Sequence, residues 1–185
     1  MTNVFNFCYI HEMIIPKENW KMSPKAFKFG DNISTDHIAP GRLFHLRSNL
    51  QEFAKHVLED ADPNFASTMQ KGDFVVAGNN FGLGSSREHA PQIIKIAGVQ
   101  AVLAKSFARI FYRNAINIGL LAIECDTDLI DAEDEIELDV KNGVVKNLTK
   151  VAEIKFSPLP EVMIKLLADG GLVEHVKKYG DFQLV

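Results

Sequence analysis

Cysteine is scarce in this sequence, which holds only Cys8 and Cys125 among 185 residues. Two thiols so far apart cannot build a disulfide framework. An iron–sulfur or structural zinc site needs about three or four closely spaced ligands, and no C-x-x-C pair occurs. We therefore expect Cys125, at the end of an apolar run, to be a buried thiol. Any metal cluster that this protein uses is expected to belong to another chain.

Long apolar runs and an excess of positive charge are also missing. No stretch approaches the roughly 18 apolar residues that span a membrane. The N-terminus has neither the basic region nor the small-residue cleavage site of a signal peptide. The formal net charge of −4 argues against a general nucleic-acid binder, which needs a clustered basic surface. These absences favour a cytoplasmic protein.

The length and composition suit a single globular domain, with 46% hydrophobic and 24% charged residues. The first two dozen residues differ from the regular pattern that follows, and they contain the only tryptophan, Trp20. Met22 would make a natural start. We expect residues 1–24 to be an N-terminal extension and residues 25–185 to form the domain.

Hydrophobic patterning predicts an α/β protein. Short buried strands alternate with amphipathic helices in the first two thirds of the chain, which favours a partly parallel sheet with helices packed on it. The predicted strands are 26–29, 74–78, 101–104 and 120–124, and the predicted helices are 50–59, 85–97 and 107–117, the last capped by Ser106. Three strands at 135–140, 144–145 and 153–156 then form a β-meander, before two helices at 160–168 and 172–178.

A glycine-rich loop ends in the run Gly82-Leu83-Gly84-Ser85-Ser86-Arg87. Glycines let a backbone approach a ligand closely, a helix N-terminus attracts anions, and arginine forms a fork suited to a carboxylate. The run therefore indicates an anion site. Taken alone, it is better explained by a serine that caps the helix, with Glu88 completing a capping box.

Two other enzyme classes do not fit this loop. It lacks the G-x-x-x-x-G-K-[ST] pattern of a phosphate-binding P-loop. It also lacks the closing glycine of the G-x-S-x-G turn that carries a hydrolase nucleophile.

A second group, Thr35, Asp36 and His37, follows the first predicted strand in a predicted loop, where functional side chains tend to gather. By themselves Asp36 and His37 are typical of a turn carboxylate and a surface imidazole.

Together these segments give the sequence a resemblance to the small subunits of the aconitase superfamily and to the fourth domain of single-chain aconitases. The resemblance extends from Lys25 to about Lys178. It rests on three blocks: GDNISTDHI (30–38), NNFGLGSSREHAP (79–91) and AKSFARIFYRNA (104–115). The middle block is highly specific. The resemblance implies a three-layer β/β/α swivelling domain that closes over a [4Fe-4S] cluster held by a separate large subunit, in a heterodimer or heterotetramer.

The resemblance also implies roles for individual residues. Ser85 would be the catalytic base, Ser86 and Arg87 would bind a substrate carboxylate, and Asp36 and His37 would line the pocket. The large subunit's cluster would act as Lewis acid on the substrate hydroxyl. Leu83 is a departure, because the small subunits of isopropylmalate dehydratases usually have cysteine there, but no chemistry is expected of that side chain.

Substrate choice is expected to depend on the segment 43–47. Arg47 facing the pocket would favour a tricarboxylate, and Leu43, Phe44 and Leu46 facing it would favour isopropylmalate; a surface arginine is the alternative. The resemblance thus implies a hydro-lyase subunit that is active only with a large subunit, with 3-isopropylmalate in leucine biosynthesis as the preferred substrate. Homoaconitase, a split aconitase and a dimethylmalate-type dehydratase remain open. So does a non-catalytic module that binds an anion or a partner.

Overall fold

The computed structural model describes residues 24–181, and these contain two β-sheets. The larger sheet is entirely parallel, with its strands in sequence order. These strands are β1 (Ala26–Lys28), β2 (Phe74–Ala77), β3 (Ala101–Ala104) and β4 (Leu121–Glu124). The smaller sheet is an antiparallel meander of β5 (Ile136–Asp139), β6 (Val144–Asn147) and β7 (Ala152–Lys155).

Helices connect the strands of the parallel sheet and follow the meander. The α-helices are α1 (Thr35–Ile38), α2 (Leu50–Phe53), α3 (Phe65–Thr68), α4 (His89–Ala97), α5 (Arg109–Asn117), α6 (Glu161–Ala168) and α7 (Leu172–Tyr179). Three segments have 3-10 geometry: Gly41–Ser48, Ala54–His56 and Thr127–Leu129.

The parallel sheet is the middle of three layers because its two faces meet different partners. Successive strand residues point to opposite faces. Val75 and Ala77 belong to a core shared with helix residues such as Ile93. Phe74 and Val76 belong to a second core shared with the meander, including Leu138 and Val145. The predicted α/β class and β/β/α layering are confirmed.

The helix predicted to begin at the paired serines instead begins at His89, with Glu88 as an N-cap residue that makes no side-chain cap bond. Proline explains the later start. Pro91 has no backbone N–H, so it is tolerated in the first turn, whereas a helix already running from residue 85 would lose a bond there. The predicted serine cap and its capping box with Glu88 were wrong.

Two other helix boundaries also differ from the prediction. Helix α5 begins at Arg109 with Ala108 as N-cap, so Ser106 does not cap it. The Ser106 hydroxyl instead accepts a hydrogen bond from the Asn80 N–H at 2.8 Å. The helix predicted over 50–59 is α for four residues and then 3-10 as far as His56, and Val57, which follows it, is extended.

Cys125 is buried as predicted, and desolvation raises the pKa of its thiol to about 12, with Asp126 adding to the effect. Within residues 24–181, no helix is long and apolar enough to cross a membrane. Cys8 and all of the predicted extension except Pro24 lie outside the described residues, so the extension stays a prediction.

Candidate functional site

The two loops singled out in the sequence lie side by side, beyond the carboxyl ends of β1 and β2. Ligands of open parallel sheets commonly bind at this edge. Backbone bonds join the loops directly, because the Gly82 N–H donates to the Ile33 carbonyl at 2.7 Å and the Thr35 N–H donates to the Leu83 carbonyl at 2.8 Å. The glycine-rich loop is thereby held against the start of α1.

Side-chain hydrogen bonds also join the same two loops, near the residue where each loop begins. The Asp31 carboxylate accepts hydrogen bonds from the backbone and side-chain amides of Asn79, at 2.6 and 3.2 Å. The Asn80 side chain donates to that of Asn32 at 3.2 Å. Asn32 and Asn80 both have a φ of +60°, a conformation that asparagine tolerates better than most residues do. The contacts fix the approach of each loop to the site.

Asp36 and His37 lie on a one-turn helix and not in the predicted loop. Ser34 caps this helix, because its hydroxyl accepts from the His37 N–H at 3.1 Å and the His37 Nδ1 accepts from the Ser34 N–H at 3.1 Å. This reciprocal capping box satisfies two N–H groups of the helix start. His37 therefore stabilises its own turn while its side chain stays at the surface.

Ser85 and Ser86 are exposed at the end of the glycine-rich loop. Beneath Ser85 lies Thr35, which is 2% exposed. The Thr35 hydroxyl lies 3.2 Å from the Ser85 carbonyl oxygen and 3.4 Å from the Ser85 Oγ. Gly84 allows this approach, since its φ is +106° and a Cβ there would lie 3.2 Å from the Thr35 Oγ1.

Arg87 connects the glycine-rich loop to α1. Its Nη1 lies 2.6 Å from the Asp36 Oδ1 and donates to the Ala39 carbonyl at 3.0 Å. The Arg87 side chain is 21% exposed and that of Asp36 57%. The structure therefore pairs Arg87 with Asp36 and exposes Ser85 and Ser86, which directly precede Arg87 in the chain.

Arg47 belongs to the Gly41–Ser48 segment, which folds as 3-10 turns on either side of a kink at Leu43. The Arg47 side chain is exposed, and its guanidinium carbon lies 4.4 Å from the centre of the Phe44 ring. Its Nη1 also donates weakly to the Phe44 carbonyl, at 3.4 Å. Arg47 is thus folded over its own segment and does not begin the next helix.

His89, the first residue of α4, lies between the Arg47 segment and the core. Its ring centre is 5.7 Å from that of Phe44 and 5.6 Å from that of Phe53, on which it stacks. Burial lowers the pKa of His89, and the positive charges of Arg87 and Arg47 lower it further. This histidine therefore lies within electrostatic reach of both arginines.

Sequence reasoning named Thr35, Phe44 and the motif that contains His89, but it did not predict the contacts that these residues make in this region. Thr35 lies within the block quoted for the resemblance, but its burial under Ser85 depends on how the two loops meet. His89 precedes Ile93 by four residues and so shares the inward face of α4, a signal that helical spacing offers. Phe44 was considered only as an apolar lining residue.

The described residues, 24–181, do not fit an iron–sulfur cluster. Within 24–181, no three His, Cys, Asp or Glu side chains are grouped so that they could hold a metal ion. The cysteine among them, Cys125, is buried, and its raised pKa disfavours the thiolate that ligates iron.

Comparison with known proteins assigns this arrangement to a family. Residues 28–128 match the Aconitase C-terminal domain family. The 3-isopropylmalate dehydratase small subunit 2 of Archaeoglobus fulgidus is 63% identical, over 89% of this chain and 99% of that protein. The methanogen homoaconitase small subunit of Methanothermobacter thermautotrophicus is 52% identical, over 83% of this chain and 89% of that protein.

A solved structure agrees with these relatives. The crystal structure of 3-isopropylmalate dehydratase from Methanocaldococcus jannaschii superposes with a TM-score of 0.81 at 45% identity, covering 85% of this chain and 94% of that one. Sequence, layered fold and the paired loops at the sheet edge thus agree, and the chain belongs to the Aconitase C-terminal domain family.

Proposed function

We propose that this chain is the small subunit of an iron–sulfur hydro-lyase, 3-isopropylmalate dehydratase, acting in the cytoplasm in leucine biosynthesis. The observation that carries the proposal is the exposed Ser85 hydroxyl, backed by Thr35 and placed beside Arg87. The printed names of the relatives at 63% and 52% identity support a dehydratase small subunit. The reaction removes and re-adds water on a hydroxy acid.

Ser85 is the base that abstracts the proton from the carbon next to a carboxylate. A serine hydroxyl is a weak base unless its alkoxide is stabilised. The Arg87 cation supplies positive charge nearby, and the Thr35 hydroxyl, at 3.4 Å, can turn its hydrogen toward the Ser85 oxygen. Helix α4 contributes less than the sequence predicted, because it begins four residues later and helix dipoles act mainly within the first turn.

Arg87 and Ser86 hold the carboxylate that makes this proton acidic. Asp36 and the Ala39 carbonyl fix the Arg87 guanidinium through Nη1, which directs the fork before substrate binds. Asp36 therefore positions the arginine. His37 stabilises the α1 turn, and through this turn it contributes to the lining of the substrate pocket.

We assign the [4Fe-4S] cluster that the family suggests to the large subunit. The poor fit of residues 24–181 to a metal supports this division. The exposure of Ser85 and Ser86 also supports it, because a half-site that another chain completes must be open in the isolated subunit.

Arg47 makes a second substrate worth testing. The exposed Arg47 guanidinium suits a distal carboxylate, and a relative at 52% identity carries the name homoaconitase. Phe44, beside it, suits the isopropyl group of isopropylmalate. Homoaconitase is therefore the alternative activity.

The test is reconstitution with the large subunit. The chain, the large subunit and the mixed pair should be assayed with 3-isopropylmalate, homocitrate and citrate, with the pair also carrying Arg47→Ala. We expect turnover only by the pair, with isopropylmalate preferred. A preference for homocitrate that Arg47→Ala removes would identify a homoaconitase. A pair that binds these acids without turning them over would indicate a non-catalytic binding module.

A further inference from the structure

An aromatic column runs from the core to the rim of the site. Phe53 is fully buried at its inner end, His89 stacks on Phe53 at an interplanar angle of 26°, and Phe44 meets His89 at 60°. Phe44 is 43% exposed, and Arg47 covers one side of its ring. The column thus joins a fully buried core residue to the arginine of the proposed substrate-binding segment.

The middle of this column is a half-buried histidine that contacts its neighbours through its ring. The His89 Nε2 is buried and has no hydrogen-bond partner among residues 24–181. Leaving a buried polar atom unsatisfied is unfavourable, and phenylalanine in this place would keep the stacking without that penalty. Burial first, then Arg87 and Arg47, lower the pKa of His89, which disfavours the charged imidazolium beside two cations.

We propose that His89 is a positioning residue that directs Arg47 toward the substrate through Phe44. This inference rests on the proposed function, because it assumes that Arg47 reads the distal part of the substrate. It adds a residue of α4 to the determinants of substrate choice, beyond the 43–47 segment itself.

Each contact in the column restrains the next side chain outward. Arg47 has a long side chain whose rotamer freedom is costly to lose, and the Phe44 ring and carbonyl restrict it. Phe44 lies on an irregular 3-10 segment and is itself exposed, so it needs a fixed contact. His89 provides that contact because α4 and Phe53 hold it. Removing the imidazole would free Phe44 and with it Arg47, while Ser85 and Arg87 keep their own contacts.

The experiment compares His89→Ala and His89→Phe in the reconstituted pair, with kcat and KM measured for 3-isopropylmalate and homocitrate. We expect His89→Ala to change the ratio of the two kcat/KM values about tenfold, mainly through KM. His89→Phe keeps the stacking and should restore the ratio. In an Arg47→Ala background, His89→Ala should cause no further change. An unchanged ratio in His89→Ala, or the same change with and without Arg47, would overturn the proposal.

A second measurement uses the chain alone and does not depend on catalysis. The Phe44 ring current should displace the NMR resonances of the Arg47 side chain, and His89→Ala should move them toward random-coil positions while His89→Phe keeps them displaced. Displacement that persists in His89→Ala overturns the positioning role even if the pair is active. If the displacement is lost but the wild-type pair turns over no acid, the proposed function fails and the positioning stands.

Tyr179→Ala is the matched control. Tyr179 on α7 has Lys165 and Lys178 over its ring at 5.3 and 5.1 Å, so this variant removes a similar cation–aromatic contact outside the site. It should leave both the substrate ratio and the Arg47 resonances unchanged. An equal change of the ratio in this control would show general loosening of the fold and would contradict the proposal.

Discussion

Two carboxylates of this chain each pair with basic side chains, but in opposite settings. Asp36 contacts Arg87 through Oδ1 at the surface, and its side chain is 57% exposed. Asp169 is 3% exposed, and its two oxygens contact His175 at 2.7 Å and Lys178 at 2.6 Å. The first pair leaves a carboxylate oxygen and an arginine fork accessible to a ligand. The second has both oxygens occupied within the protein.

The difference distinguishes a carboxylate that stabilises the fold from one that is available for ligand binding. An exposed pair contributes little to stability, with a median of about 0–1 kcal/mol, whereas removing one partner of a buried pair is strongly destabilising. The Asp169 cluster therefore joins α6 to α7, and the Asp36–Arg87 pair is better explained by binding. The following variants test that separation.

The largest effect is expected from Ser85→Ala. Loss of a general base typically lowers turnover by about 10²–10⁴-fold, and we expect kcat of the reconstituted pair to fall within that range. Because Ser85 is exposed, the free energy of unfolding should hardly change. Ser86→Ala is the matched control, since it removes the neighbouring hydroxyl and should raise KM more than it lowers kcat. Equal kinetics for the two variants would contradict the assignment of the base.

Next in size is the stability loss in Asp169→Asn. Breaking the buried cluster should lower the free energy of unfolding by about 3–5 kcal/mol, measured by urea denaturation, while the folded fraction stays active. Asp36→Asn should cost less than about 1 kcal/mol and instead weaken substrate binding. If Asp36→Asn proved the more destabilising of the two, the contrast between the clusters would fail.

Arg87→Lys should have an intermediate effect, on binding. Lysine keeps the charge but cannot contact Asp36, the Ala39 carbonyl and a substrate carboxylate with one planar fork. We expect kcat/KM to fall by about 10–100-fold through KM, with little change in unfolding. Full activity in Arg87→Lys would show that a point charge suffices.

The smallest effect is a pH dependence of stability. Burial, then Arg87 and Arg47, hold the pKa of His89 below its usual 6.5. As the pH falls below that value, the unfolded chain takes up a proton that the folded chain does not, so the free energy of unfolding falls until the lower folded pKa is passed. His89→Phe should remove this slope in urea titrations between about pH 7 and pH 5.

The Asp169 carboxyl group should add a separate pH dependence of stability at lower pH than that of His89. Burial raises the pKa of Asp169, but hydrogen bonds from Lys178 and His175 outweigh it, and the pKa lies below its usual 3.8. The resulting stability is present above that value and is lost as the pH falls through the folded pKa. A wild-type slope near pH 6 that survives in His89→Phe would contradict the assignment to His89.

Strands and layers were predictable from the sequence because apolar runs such as 74–77 and 101–104 bury both faces of a parallel sheet. Helix boundaries that depend on a single backbone group were not predictable from the sequence. Pro91 delays α4 to His89, and Asn80 engages Ser106 in place of a cap. Periodicity carries no signal for such contacts.

The candidate site was predictable where it is continuous in sequence and was not where it depends on tertiary contact. Ser85, Ser86 and Arg87 stand in one motif, and Asp36 lies in a second block that supports the resemblance. Thr35 beneath Ser85 and the His89 column become apparent only once residues about 50 positions apart meet across the two loops.

The central claim is that this chain forms half of a dehydratase site and needs a second chain to act. Its most direct test is the rate of 3-isopropylmalate dehydration by the purified chain, by the purified large subunit and by the two mixed. We predict no turnover by either chain alone and turnover by the mixture that rises to saturation as this chain is added. Equal turnover by the large subunit with and without this chain would contradict the account.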